Sequence, residues 1–273
     1  CNERPSVDTG TPDMRIVGFL DAHNFTLYLD TSGEALFKRG WRAETGDAPL
    51  RENLAAGLLR TSGWKPGTVL FDPMCGSGTI LIEAAQILAG IPAGARRHFA
   101  FEKFNDFESE KWLAIKGSFK PRPLPTTPTI FGSDISGDMV HIAANNLRNA
   151  GILFEVPIKQ IEAQEVKPPS DAEHGIMLTN PPYGERIGVR GDSTLTSDDL
   201  LTAFFSAFGT TLKQRFAGWS VFLFSADLSL PKLLRLKEAR KTPFFNGALE
   251  CRLFRFDMVA GFNRREAAKP KTE

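Results

Sequence analysis

The chain has 273 residues, of which 42% are apolar and 24% are charged, so it is long and apolar enough for one large globular domain or two small ones. Its formal net charge of +1 argues against a histone-like polycation but leaves nucleic-acid binding through a local patch open. No stretch approaches the roughly 18 apolar residues of a membrane span, and no charged region precedes an apolar run in the pattern of a secretory signal. The three cysteines and four histidines show neither disulfide nor metal-site spacing. We therefore expect a cytoplasmic protein that needs neither a membrane nor a metal.

The first 46 residues differ in pattern from the rest. Residues 1–13 are polar and proline-rich, and two β-like runs follow at 16–20 and 26–30 with a turn between them. Because the chain starts with Cys1 and not with Met, we expect a fragment whose residues 1–46 are a lead-in and a β-hairpin, the remnant or linker of an upstream module.

From residue 47 onward, apolar runs typical of strands alternate with helical patterns, which predicts a main domain over 47–263 and a disordered tail over 264–273. The predicted strands are 69–71, 130–134, 154–158, 176–178 and 219–224. We expect Gly63, Gly90 and Gly151 to end helices, and Ser136 or Asp138, and later Asp198, to cap them. This alternation predicts an α/β fold with a mainly parallel sheet covered by helices on both faces. A last hairpin around Asn246 and Gly247 would add an antiparallel edge.

One segment interrupts the alternation. Residues 91–128 carry several aromatic side chains and a proline-rich end, and we interpret them as an insertion packed over the sheet.

A glycine-rich turn follows the first strand of the domain. Its sequence is Asp72-Pro73-Met74-Cys75-Gly76-Ser77-Gly78-Thr79. Glycines let a ligand approach the backbone, and the start of the next helix favours a negative group. The third glycine of a dinucleotide fingerprint and the lysine of a P-loop are both missing, so a small ligand with a carboxylate fits better than a pyrophosphate. Turn glycines without a ligand are the alternative.

Polar side chains also follow the next two strands. Asp134 could accept two hydrogen bonds from a ribose diol, or could simply cap the next helix. Gln160 lies where an adenine amine could be bound, but it could equally be a solvated loop residue.

The fourth strand ends in Asn180-Pro181-Pro182-Tyr183. The two prolines fix the backbone and remove two N–H donors. The Asn180 side-chain oxygen and the Pro181 carbonyl would then form a rigid pair of acceptors for an exocyclic amine. Tyr183 could stack on the base that carries this amine.

Together these motifs resemble the S-adenosylmethionine-dependent amino-methyltransferases. Three strings (48–56, 72–79 and 179–186) are similar to those of the bacterial THUMP-associated guanine-N2 methyltransferases of large-subunit ribosomal RNA, and the similarity covers about residues 14–262. The resemblance implies a Rossmann-like class I fold with a seven-stranded sheet, S-adenosylmethionine as cofactor, a single-stranded or flipped guanosine of ribosomal RNA as substrate, and an upstream RNA-binding domain.

The resemblance also implies roles for individual residues. It makes Asn180, Pro181, Pro182 and Tyr183 the catalytic set. It adds Asn53, Ile135 and Ile161 to the cofactor-binding set, which otherwise comprises residues 72–79, Asp134, Gln160 and Asn180. Gln160 departs from the family, where an aspartate often holds the adenine amine.

Two other functions remain open at this point. An adenine-N6 nucleic-acid methyltransferase would share the Asn-Pro-Pro-Tyr motif, and a non-catalytic RNA-binding module for ribosome assembly would need no turnover. For RNA contacts outside the pocket, the candidates are the basic stretch at 232–241 and the pair Arg96-Arg97, although solvated helix faces also produce such runs.

Overall fold

The structure is a computed structural model and describes residues 6–42, 50–182 and 196–259. Its strands form two sheets, a two-stranded hairpin and a seven-stranded main sheet. The hairpin strands are β1 (Arg15–Leu20) and β2 (Phe25–Asp30). The main-sheet strands are β3 (Leu70–Asp72), β4 (Ile130–Asp134), β5 (Ile158–Gln160), β6 (Ile176–Thr179), β7 (Ser220–Ser225), β8 (Arg240–Asn246) and β9 (Leu249–Asp257).

The main sheet has the strand order β5-β4-β3-β6-β7-β9-β8. Strands β3 to β7 run parallel to one another, whereas β9 runs antiparallel to both β7 and β8. The predicted fold class is confirmed, including the closing hairpin, whose turn follows Asn246 and has Gly247 at a φ of 66°.

The helices cover both faces of this sheet. They are α1 (Glu52–Ser62), α2 (Thr79–Ala89), α3 (Ser109–Gly117), α4 (Gly137–Asn149), α5 (Ser197–Arg215) and α6 (Leu230–Leu234). Alternate residues of β7 point to opposite sides, since Phe222 and Phe224 pack with α1, α2 and α4 while Val221 and Leu223 pack with α5 and α6. The sheet is therefore buried on both faces.

Most predicted helix ends agree with the structure, and one predicted cap is wrong. Gly63 and Gly90 end α1 and α2 in the left-handed conformation that glycine tolerates. Helix α5 is capped by Thr196 and not by Asp198, because the Thr196 hydroxyl accepts the N–H of Asp199 while the Asp199 carboxylate bonds back to Thr196. This reciprocal capping box outcompetes a single carboxylate cap two residues later.

The predicted strand at 154–158 is also wrong. Strand β5 begins only at Ile158, directly after Pro157, which has no N–H to give to a sheet ladder. The Pro157 carbonyl still accepts the N–H of Gly132 at 2.9 Å, so pairing with β4 starts there and continues to Gln160.

The segment 91–128 contains a short 3-10 helix (Ala100–Lys103) and helix α3. Four of its aromatic rings form a cluster with centroid distances of 5.1 to 6.0 Å, namely Phe99, Phe101, Phe107 and Trp112. Arg97 is buried and donates to the carbonyls of Ser32, Glu34 and Ala35, and Arg96 donates to the Asn149 carbonyl. Arg97 is thus part of the folded framework, whereas Arg96 stays exposed, and the pair remains a predicted RNA contact.

The basic stretch at 232–241 is not one helix face. Helix α6 ends at Leu234, Arg235 follows at a φ of 53°, and Arg240 and Lys241 begin β8. Within the described ranges, no helix is long and apolar enough to cross a bilayer, and no group of three or more potential metal ligands is found.

Candidate active site

The candidate site lies where the sheet changes its winding direction. The chain adds β4 and β5 on one side of β3 and then returns to place β6 on the other side. The carboxyl ends of β3 and β6 therefore border a crevice, which is where open α/β sheets bind ligands. Asp72 ends β3 and Asn180 follows β6, so the topology brings these two predicted segments to the same edge.

The glycine-rich turn is held in place by hydrogen bonds from outside it. The Gly76 N–H donates to Asp134 Oδ2 at 2.9 Å, and the Cys75 N–H donates to the Ser133 carbonyl at 2.9 Å. Gly76 has a φ of 51°, and a Cβ built there would meet no atom within 4 Å. The turn is thus open above Gly76, and a side chain at this position would occupy the space next to the crevice.

Asp134 joins the turn to the next strand. Its Oδ1 accepts the N–H of Ser136 at 3.0 Å and its Oδ2 accepts that of Gly76, so each oxygen keeps acceptor capacity for a further donor. Its neighbour in the sheet register is Gln160, whose Nε2 donates to the Ile135 carbonyl at 3.1 Å. That bond leaves Oε1 of Gln160 as an acceptor, and the side chain of Ile135 is exposed.

Asp72 is almost fully buried, and this burial raises its pKa from 3.8 to about 7. The Met74 N–H, which donates to Asp72 Oδ1 at 3.2 Å, and the nearby Thr179 hydroxyl favour the charged form, but they do not offset the desolvation, to which the charge of Asp134 adds. The charge of Asp134 at this edge of the sheet favours a ligand that carries positive charge.

Asn180 presents an unsatisfied acceptor. Its Oδ1 is buried and has no hydrogen-bond partner within residues 6–42, 50–182 and 196–259. Leaving such an atom unpaired typically costs about 1–3 kcal/mol, so a ligand N–H would be stabilising here. Pro181 is buried and Pro182 is half-buried, and neither has an N–H that could compete for the bond. Tyr183 lies outside the described residues.

Several other residues that were predicted to bind the cofactor have side chains that are buried or partly buried. Cys75 is part of the hydrophobic core, and burial raises the pKa of its thiol. Pro73 is buried and its carbonyl accepts from the Ser133 hydroxyl at 3.3 Å. Met74 and Ile161 are partly buried in the second core cluster, whereas Asn53 is exposed on α1.

Arg42 contacts the glycine-rich turn and pairs with Glu52, and neither residue was predicted as a site residue. Arg42 donates to Ser77 Oγ at 3.1 Å and to Thr79 Oγ1 at 2.9 Å, and it forms an ion pair with Glu52 at 3.0 Å. The contact joins residues 35 and 37 positions apart, so no local spacing rule reveals it. Only the string around Glu52, which is part of the family resemblance, pointed to this region.

Residues 39–255 match the family model described as UPF0020, the RMKL-like methyltransferase domain. The chain belongs to this family. The family resemblance predicted from the motifs is therefore confirmed, and the match includes Arg42 and every described residue of the candidate site.

Individual relatives agree with this assignment. A protein of Psychromonas ingrahamii named ribosomal RNA large subunit methyltransferase K/L is 41% identical over 255 residues, which are 92% of this chain and 33% of that protein. The chain thus spans about a third of the length of this curated relative.

Two solved structures share the fold. SMU.472, a protein assigned to the methyltransferases and complexed with SAH, is 31% identical with a TM-score of 0.76 over 91% of this chain and 63% of that one. A protein of Listeria monocytogenes described as a predicted N6-adenine-specific DNA methylase is 29% identical with a TM-score of 0.73 over 86% and 58%.

Proposed function

We propose that this chain transfers a methyl group from S-adenosylmethionine to the N2 amine of a guanosine in large-subunit ribosomal RNA. The name of the Psychromonas relative supports the substrate class, and the SAH complex of SMU.472 supports the cofactor. The proposal includes an RNA-binding domain upstream of the chain, and it keeps residues 1–46 as a connecting segment.

The described residues fit this cofactor. S-adenosylmethionine carries a positive sulfonium, an amino group, a carboxylate and a ribose diol. Asp134 lies at the crevice and keeps acceptor capacity on both oxygens for the diol. The start of α2, with the open position at Gly76, suits the carboxylate. Gln160 Oε1 remains as an acceptor for an adenine amine.

The bound cofactor would supply a methyl group that is already activated, so the protein's task is to place the attacking amine. Placement of this kind can lower a barrier by roughly 7–11 kcal/mol. Asn180 Oδ1 and the Pro181 carbonyl oxygen would each accept a hydrogen bond from one N–H of the amine. These two hydrogen bonds would draw electron density toward the amine nitrogen. Because the ring conjugates with this amine in the free base, acceptors that favour a pyramidal nitrogen stabilise the transition state more than the ground state.

The proposal rests above all on the buried Oδ1 of Asn180 at the switch point of the sheet, which has no hydrogen-bond partner among the described residues. A neutral acceptor in this place needs a donor from a ligand, and an exocyclic amine with two N–H bonds provides one.

The test is methyl transfer from labelled S-adenosylmethionine to unmodified ribosomal RNA, followed by nucleoside analysis by mass spectrometry. We expect N2-methylguanosine with the unaltered protein. With Asn180→Ala we expect cofactor binding to persist and turnover to fall by about two orders of magnitude, in line with the loss of one transition-state hydrogen bond. Asn149→Ala, an exposed asparagine at the far end of α4, is the matched control and should keep full activity. Near wild-type turnover by Asn180→Ala would contradict the proposed role.

A second candidate is adenine-N6 methylation, favoured by the description of the Listeria structure. The same pair of acceptors would serve an adenine amine. N6-methyladenosine in the same assay, or labelling of DNA and not of RNA, would select this function. A chain that binds RNA without any methyl transfer would instead be a non-catalytic assembly module.

A further inference from the structure

Arg42 reaches the glycine-rich turn from a segment that precedes the turn by more than thirty residues. Its guanidinium donates to four acceptors, which are Glu52 Oε1, the Leu50 carbonyl, Ser77 Oγ and Thr79 Oγ1, at 2.9 to 3.2 Å. The side chains of Arg42 and Glu52 are only 15% and 6% exposed. The guanidinium also lies over the Trp41 ring, 4.8 Å from its centroid. Its position is thus fixed from several directions.

The chemistry of this contact sets the direction of two hydroxyl groups. A guanidinium has donors and no acceptor, so Ser77 Oγ and Thr79 Oγ1 must each accept from Arg42. Their own hydrogens therefore point away from Arg42, and neither hydroxyl donates to another group within the described residues. An accepted hydrogen bond from a cation also polarises a hydroxyl and strengthens it as a donor.

Stability of the helix does not explain this cation. Arg42 touches Thr79, the first residue of α2, where the unpaired N–H groups of a helix already give a positive end. A second positive charge there disfavours the helix and needs the carboxylate of Glu52 to balance it. The arrangement does suit an anionic group bound at the turn, because the guanidinium, the helix terminus and both hydroxyl groups favour negative charge.

We propose that Arg42 is a positioning residue for the cofactor: it holds Ser77 and Thr79 so that their hydroxyl groups donate toward the carboxylate of bound S-adenosylmethionine. This role rests on the proposed function, and it extends the cofactor site to the segment before α1. Glu52 supports the role by keeping the guanidinium in place.

The chain offers a matched control three residues away. Arg39 forms an ion pair with Glu83 of α2 at 3.2 Å, and the two side chains are 12% and 5% exposed. It therefore resembles Arg42 in burial, in partner and in the segment that carries it. Among the described residues, Arg39 donates to Glu83 and to the Leu36 carbonyl, and not to residues 72–79.

The experiment compares Arg42→Ala with Arg39→Ala. Binding of S-adenosylhomocysteine is measured by calorimetry, and thermal unfolding without ligand gives the cost to the fold. We expect Arg42→Ala to weaken binding at least about tenfold and Arg39→Ala to leave the dissociation constant unchanged, while both lower the melting temperature. In steady-state assays, Arg42→Ala should raise KM for S-adenosylmethionine and keep kcat within about twofold at saturation.

A lysine at position 42 keeps the charge but cannot bridge the same four acceptors, so Arg42→Lys should give intermediate affinity. If Arg42→Ala does not fold, the positioning role is tested with Arg42→Lys, which should bind S-adenosylhomocysteine more weakly than Arg39→Lys does. Unchanged affinity of the Arg42 variants, or an equal loss in the Arg39 variants, would overturn the positioning role while leaving the proposed function standing. Absence of binding by the unaltered protein would overturn the proposed function and this role together.

Discussion

Replacing Asp72 by asparagine should make the protein more stable above neutral pH. Burial raises the pKa of Asp72 from 3.8 to about 7, so between these values the folded state holds a proton that the unfolded chain releases. Stability from this group is present at low pH and is lost as the pH rises through about 7. A shift of roughly three pKa units corresponds to about 4 kcal/mol at most. Asparagine keeps an acceptor for the Met74 N–H but does not titrate.

The assay is urea unfolding of both proteins at pH 5, 6, 7 and 8. We expect the difference in unfolding free energy to move in favour of Asp72→Asn by a few kcal/mol across this range, with most of the change below pH 7. Asp106→Asn, which removes an exposed carboxylate, controls for the loss of one acidic group. A difference between Asp72→Asn and the unaltered protein that stays constant from pH 5 to pH 8 would refute the reasoning.

Two further predictions concern the floor of the crevice. Asp134→Ala should weaken S-adenosylhomocysteine binding several-fold in calorimetry, because it removes the acceptor that holds the Gly76 N–H. Asp138→Ala, on the first turn of α4, is the control and should leave the affinity unchanged. Equal affinities of the two variants would remove Asp134 from the site. Gly132→Ala should destabilise the protein by about 1–3 kcal/mol in urea unfolding, since its Cβ would lie 2.5 Å from Leu81 Cδ1. A stability equal to that of the unaltered protein would show that Leu81 can move aside.

The fold could be predicted well because its signals are local. Strands β3 and β6 are short apolar runs followed by conspicuous loop sequences, and the alternation of strands and helices determines a parallel sheet. Gly63 and Gly90 mark helix ends by the same local chemistry. The prediction failed where two local signals compete. Strand β5 begins after Pro157 and not at residue 154, and the N-cap of α5 is Thr196, with its capping box, and not Asp198.

The site was predictable only in part. The loop residues Asp72, Asp134 and Asn180 follow strand ends and so could be placed at one edge of the sheet from the sequence. The contact of Arg42 with Ser77 depends on the packing of distant segments, and no periodicity encodes it. The division of the chain at residue 46 and the disorder of 264–273 remain predictions, because residues 43–49 and 260–273 lie outside the described ranges.

The most direct test of the central claim is a crystal structure of the protein with S-adenosylhomocysteine. We predict that the ligand lies over the turn at Gly76, with its ribose hydroxyl groups on Asp134 and its sulfur facing Asn180 Oδ1. A ligand bound away from the carboxyl ends of β3 and β6, or one that leaves Asp134 without a contact, would contradict it.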